Sequence, residues 1–292
     1  MKKAVTTTDK NPHFYADILA RSLLRVGIPK YEAYDIAHNI WKKFSRQKKD
    51  QKKISNYVEE VLKKKGASYV KRYRKWEEIL KQPESIIILI GGGTGIGTST
   101  LAMRLAWLLE FNRIISTDSV REIIRKFIGP DISPLLHVSS YQTKPLIKEV
   151  KSDHDKLIYG FLSQSKEVLS GVDAIIARAI TEKGSTIIEG VHIIPGEMDF
   201  LKKYEGKAII IQVMLDVNQE SKHRLHFFAR HLDNAKRDKT KYLKYFKEIR
   251  LIRDYLVSQA KKNHVPVIEN YDLRKVEKQI LDQIFSSYGH KK

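Results

Sequence analysis

The sequence predicts an α/β protein, a doubly wound parallel sheet preceded by a small helical domain. Two observations carry this. Residues 12–80 hold apolar positions at helical spacing and no run that reads as a strand. After Pro83 the pattern changes to short isoleucine-rich runs alternating with helical segments, the grammar of a parallel sheet. The boundary therefore falls near residue 83, giving domains 1–83 and 84–292.

In the first domain Phe14, Ile18, Leu19, Leu23 and Leu24 share one helix face, and Gly27-Ile28-Pro29 ends the run. Ala33, Ile36, Ala37, Ile40 and Trp41 mark a second helix from Lys30 to about Phe44. Ser45–Lys53 is polar and basic and reads as a loop. Ile54–Lys64 and Tyr69–Leu80 complete the helices. In the second domain Ser85–Ile90 is apolar on both faces, which fits a central strand. Arg113–Ser116, Ser185–Glu189, Lys207–Leu215 and Val265–Ile268 are the other strand candidates. Helices are expected over Val120–Phe127, Leu146–Leu169, Gly171–Glu182, Gln219–Ala229, Leu243–Lys262 and Leu273–Tyr288.

The chain has 292 residues, 42% of them apolar, enough for a packed core. It has no cysteine, which excludes disulfides and thiolate metal sites and fits a cytoplasmic protein. No apolar stretch is long enough to span a bilayer, and the basic N-terminus lacks the apolar run of a signal peptide. The 54 Lys and Arg against 34 Asp and Glu give a net charge of +20, a field that attracts polyanions. Charge alone does not make nucleic acid the partner, because no basic stretch interleaved with stacking aromatics accompanies it. Oligomeric state is not legible.

The strongest motif is the turn GGGTGIGTST between the first strand and a helix. Gly92-x4-Gly97-x-Ser99 has the Walker A spacing of a P-loop, with Thr98 where lysine is usual. Five glycines in the seven positions 91–97 are costly to order unless the backbone must be exposed. The expected nucleotide cradle is Gly92, Gly93, Thr94, Gly95, Ile96, Gly97, Thr98, Ser99 and Thr100, whose amides and helix N-terminus suit a polyphosphate. A dinucleotide fingerprint fits less well, since Ile96 stands where its third glycine belongs. Ser99 is placed to ligate Mg²⁺. A cation replacing the lysine would come from Arg224, Arg230 or Lys144.

Asp118 follows a strand, at the ligand edge of a parallel sheet, and is the candidate base for an acceptor hydroxyl. The rival reading is that Asp118 or Ser119 only caps a helix. Arg121 and Arg125 share a helix face and suit a phosphate or carboxylate. Glu189, after the apolar Thr186–Ile188, has the Walker B position and is a candidate for the metal shell. His192 is either a donor to the transferring group or an ordinary loop histidine. Ser139, Ser140 and Tyr141 form a hydroxyl-rich loop that can contact the acceptor. Arg224 and Arg230 are candidate catalytic lid residues, with a solvated basic helix as the alternative.

The segments GGGTGIGTST, STDSVREIIR, SSYQT and IIEGVHIIPG together resemble the archaeal 2-phosphoglycerate kinases over most of residues 85–270. Residues 12–80 resemble an ATP-cone domain, although the hairpin that opens such domains is poorly marked. The resemblance implies a P-loop kinase fold and the reaction of ATP with 2-phosphoglycerate to give ADP and 2,3-bisphosphoglycerate, feeding cyclic 2,3-diphosphoglycerate. It implies ATP and Mg²⁺ as cofactors and a small phosphorylated acid as substrate. A kinase of nucleic-acid ends and a non-catalytic nucleotide-binding regulator are the alternatives.

Overall fold

The computed structural model describes residues 12–45, 51–148, 150–233 and 239–289. The chain divides into two compact units, Met1–Gln82 and Pro83–Lys292. No helix among the described residues is long and apolar enough to cross a membrane.

The first unit holds helices α1 (Pro12–Arg25), α2 (Lys30–Phe44), α3 (Gln51–Lys63) and α4 (Ala67–Lys81). Each turns an apolar stripe inward: Leu23 from α1, Ala33, Ala37 and Ile40 from α2, Val58 and Leu62 from α3, and Tyr73, Trp76 and Ile79 from α4 are buried. The loop expected over Ser45–Lys53 is shorter than the sequence suggested. Its last residues, from Gln51, already belong to α3, and 46–50 lie outside the described residues. Phe14 belongs to α1, but its side chain is also outside them.

The second unit is a five-stranded parallel sheet in the order β2-β3-β1-β4-β5. The strands are β1 (Ser85–Gly91), β2 (Ile114–Ser116), β3 (Thr186–Gly190), β4 (Ala208–Asp216) and β5 (Val267–Glu269). β1 is buried along its whole length, as a strand flanked on both sides and covered on both faces must be. The helices between strands are α5 (Thr98–Leu109), α6 (Thr117–Phe127), α7 (Asp153–Thr181), α8 (Glu220–Asp233), α9 (Lys239–Lys244) and α10 (Phe246–Lys262), and α11 (Leu273–Gly289) follows β5. Core side chains from β1, β3 and α7, among them Ile87, Leu89, Ile188, Val172 and Ile176, pack on one face.

Two helix expectations are corrected. The segments Leu146–Leu169 and Gly171–Glu182 form one 29-residue helix, α7, which starts only at Asp153. Gly171 does not break it. A β-carbon there would lie 2.5 Å from Val120 Cγ1, so the glycine lets α6 pack directly onto the helix. Conversely, Leu243–Lys262 is not one helix: α9 ends at Lys244, and Tyr245 separates it from α10.

Candidate active site

All five strands point their C-terminal ends to one edge, and the chemistry-bearing residues collect there. In register, Glu189 lies beside Ile90 on one side and Ser116 on the other. β1 runs into the glycine turn, and α5 starts at Thr98. Two elements hold the turn, α8 and the segment after β5. His223 and His226 of α8 donate ring N–H groups to the carbonyls of Thr94 and Gly95, at 2.8 and 3.0 Å. Asn270, just past β5, donates to Ile96 O at 2.8 Å. Phe227 lies against Gly95, leaving no room for a side chain there. Burial pushes the His223 imidazole down to about 4, its hydrogen bond to Thr94 opposing the shift. It therefore holds the turn as a neutral ring.

Thr98, at the usual lysine position, is buried and donates to Glu189 Oε2 at 2.5 Å, while Ser99 donates to Oε1 at 2.9 Å. Consecutive hydroxyls thus grip both oxygens of one carboxylate. A hydroxyl beside a carboxylate is a hard-oxygen donor set that fits Mg²⁺. No cluster of three or more His, Cys, Asp or Glu among the described residues is arranged for a metal. A cation at Ser99 and Glu189 would therefore complete its shell from phosphate and water, as Mg²⁺ commonly does. Thr100 is exposed.

Ser116 caps α6, accepting from Ser119 N at 3.0 Å. Neither Asp118 nor Ser119 is the cap, which leaves the Asp118 carboxylate free of that duty and 67% exposed. One turn on, Arg121 is buried. It donates to the carbonyls of Leu136 and Val138 and lies 3.4 Å from Asp118. Its Nε is buried with no hydrogen-bond partner among the described residues. Arg121 lines a cavity of about 460 Å³ with Arg125, Ser139, Tyr141, Gln142 and Lys144. Arg125 pairs with Glu122 at 2.5 Å and Lys144 with Asp153 at 3.0 Å. An aromatic chain links this cavity to the glycine turn: Tyr141 meets Tyr242, which stacks on Phe227 at 5.1 Å, and Phe227 abuts Gly95.

Ser140 and His192 are not among the residues that line the cavity; both are buried and bonded to protein groups. Burial holds His192 down to about 4, Asp118 opposing the shift and Arg121 adding to it. The unfolded imidazole takes a proton near 6.5 and the folded one only near 4, so stability falls as pH drops through that window. Between pH 7 and 5 this histidine alone should cost on the order of 2 kcal/mol. Urea midpoints at the two pH values measure it, and His192→Gln should flatten the slope. Arg224 extends its guanidinium over the Phe246 ring, 3.8 Å from the centroid, and that ring packs on His223 and Phe227. Arg230 lies on α8, but its side chain is outside the described residues.

Sequence reasoning missed Asp216 and Arg253. Asp216 ends β4 and accepts from Arg253 through both carboxylate oxygens, and the Arg253 β-carbon packs against Gly93. The strand-end rule that found Glu189 would also have found Asp216. Arg253 carries no local signal, being one of several basic residues on α10.

This strand order, with a glycine turn after the central strand and a serine–glutamate pair at its base, defines a P-loop nucleotide-binding α/β protein. The chain is 38% identical over 264 residues to the 2-phosphoglycerate kinase of Methanocaldococcus jannaschii, covering 88% of this chain and 82% of that one. It is 36% identical to that of Thermococcus kodakarensis over 92% and 91% of the two chains, and 34% identical to that of Methanopyrus kandleri over 94% and 84%. No family model matches the chain. Among solved structures, the shikimate kinase of Acinetobacter baumannii aligns with 72% of this chain and 97% of its own, at 20% identity and a TM-score of 0.38. The chain belongs to the 2-phosphoglycerate kinase family.

Proposed function

We propose that this protein transfers the γ-phosphoryl group of ATP to the 3-hydroxyl of 2-phosphoglycerate, giving ADP and 2,3-bisphosphoglycerate. The observation that carries this reading is Arg121: a buried guanidinium lining a cavity that also holds Arg125 and Lys144, with Glu122 and Glu248 beside them. An acceptor bearing both a phosphate and a carboxylate suits this cavity if it displaces the Glu122 and Asp153 partners of Arg125 and Lys144. The nucleotide triphosphate is assigned to the amides of residues 92–98, with Ser99 and Glu189 holding Mg²⁺. When bound, the metal neutralises charge on the β- and γ-phosphates. Asp118 accepts the proton of the 3-hydroxyl as its oxygen bonds to the γ-phosphorus. The bond from that phosphorus to the bridging β–γ oxygen breaks, and ADP leaves.

A coupled ADP-release assay with 2-phosphoglycerate, 3-phosphoglycerate, glycerate and no acceptor tests the reading. Turnover should depend on 2-phosphoglycerate. Equal, slow ADP release under all four conditions would overturn it. Arg121→Ala removes charge-assisted bonds worth about 1.5–3 kcal/mol each. It should raise KM for 2-phosphoglycerate by about 10- to 100-fold and leave KM for ATP within about twofold. An unchanged acceptor KM would remove Arg121 from the substrate site.

A further inference from the structure

Behind the acceptor cavity lies a set of buried polar side chains that the phosphoryl transfer does not use. Thr117, Gln164 and His192 are each wholly buried, and Ser140 nearly so. Their hydrogen bonds are best satisfied by one assignment, although Ser140 Oγ also lies 3.3 Å from His192 Nε2. The Gln164 amide nitrogen faces two carbonyls, Leu135 O and Val138 O, the latter at 3.0 Å, so it must donate. Gln164 Oε1 is then the acceptor for the Ser140 hydroxyl at 2.8 Å and for His192 Nε2 at 3.1 Å. His192 therefore carries its proton on Nε2. Its Nδ1 accepts from the Thr117 hydroxyl at 2.9 Å. Thr117 opens α6, the helix that carries Asp118 and Arg121, and Arg121 returns to the carbonyl of Val138 that Gln164 also binds.

The bonds close a ring: Thr117 to His192, His192 to Gln164, Gln164 to Val138 O, Val138 O to Arg121, and along one turn of α6 back to Thr117. The fit is tight. A β-carbon on Gly190, whose φ is +139°, would lie 2.1 Å from Thr117 Oγ1. We infer that Gln164 and Thr117 are positioning residues for the acceptor site, locking the start of α6 to the 135–142 loop so that Arg121 and Asp118 meet the acceptor in one fixed geometry. No buried side-chain polar atom of Thr117, Ser140, Gln164 or His192 is left without a partner, so removing one of these leaves a buried polar atom unpaired rather than merely loosening the loop. Because His192 follows Glu189 by three residues, the same ring ties the acceptor loop to the end of β3 that carries the metal-side carboxylate. This inference rests on the cavity being the acceptor site.

Two kinds of measurement test it. In the ligand-free protein, ¹⁵N-resolved imidazole spectra should show His192 as the neutral Nε2–H form, and Gln164→Met should abolish that preference. In the assay, Thr117→Val, which keeps the shape and loses the hydroxyl, should raise KM for 2-phosphoglycerate about tenfold or more while KM for ATP stays within about twofold. Thr117→Ser, which keeps the hydroxyl, should stay within about threefold of wild type for both. Gln164→Glu keeps the size, loses both donors, and should behave as Thr117→Val. If Thr117→Val and Gln164→Glu leave the acceptor KM unchanged, or raise both KM values equally, or if His192 is the Nδ1–H form, the inference fails. If Arg121→Ala does not raise the acceptor KM either, the assignment of the cavity itself fails.

Discussion

Asp118→Asn is expected to lower kcat with 2-phosphoglycerate by about 10²- to 10⁴-fold, the range of a positioned general base, with KM for ATP nearly unchanged. The reason lies in how α6 begins. Ser116 takes the capping bond to Ser119 N, so the Asp118 carboxylate has no structural duty in the helix start. It is 67% exposed, and its only ion partner among the described residues is Arg121, 3.4 Å away, which lines the acceptor cavity. Asparagine keeps the shape and cannot accept a proton at neutral pH. The coupled assay at saturating ATP measures the change. A kcat within about threefold of wild type would reduce Asp118 to a favourable charge at a helix N-terminus.

Glu189→Gln should cost about 10²- to 10³-fold in kcat and shift the Mg²⁺ dependence to higher concentration, because it removes the one buried carboxylate beside Ser99. The companion variant is Thr98→Val. It leaves the charge and deletes the Thr98 hydrogen bond to Glu189 Oε2. Loss of such an orienting partner costs about 10- to 100-fold. Thr98→Lys restores the usual P-loop residue and should nonetheless reduce activity. The side chain at this position is buried against Gly92 and directed at Glu189, so an ammonium there would pair with the carboxylate and compete with the metal. A gain of activity in Thr98→Lys, or an unshifted Mg²⁺ curve in Glu189→Gln, would contradict this role. Equilibrium binding of Mg²⁺ with a non-hydrolysable ATP analogue separates an effect on binding from one on the chemical step.

The sheet was legible because its signal is local. Ser85–Ile90 is apolar on both faces, and only a strand flanked on both sides needs that. The glycine turn, Ser99 and Glu189 were legible because a parallel sheet puts every strand's C-terminal end at the ligand edge. Helix breaks were less so. Gly171 reads as a stop, yet Val120 of α6 fills the space a side chain would occupy and the helix runs on. The aromatic ring at Tyr245 reads as helix, yet the backbone breaks there. Within the site, the fate of His192 and Ser140 depended on Gln164, a mid-helix glutamine with no motif around it. Arg224 was chosen for its charge, and the aromatic face of Phe246 it lies on has no signal in the sequence. Charge and spacing nominate residues, whereas long-range packing decides which of them face the ligand.

The central claim is that the amides of the turn after β1 hold a polyphosphate with Thr98 in place of lysine, and that the acceptor lies against Arg121. A crystal structure with Mg²⁺, a non-hydrolysable ATP analogue and 2-phosphoglycerate measures this directly. The account predicts the β- and γ-phosphates among the amides of residues 92–98, the metal on Ser99 near Glu189, and an acceptor anionic group on the Arg121 guanidinium. Nucleotide bound elsewhere with that turn empty, or the acceptor away from the Arg121–Arg125 cavity, would contradict it.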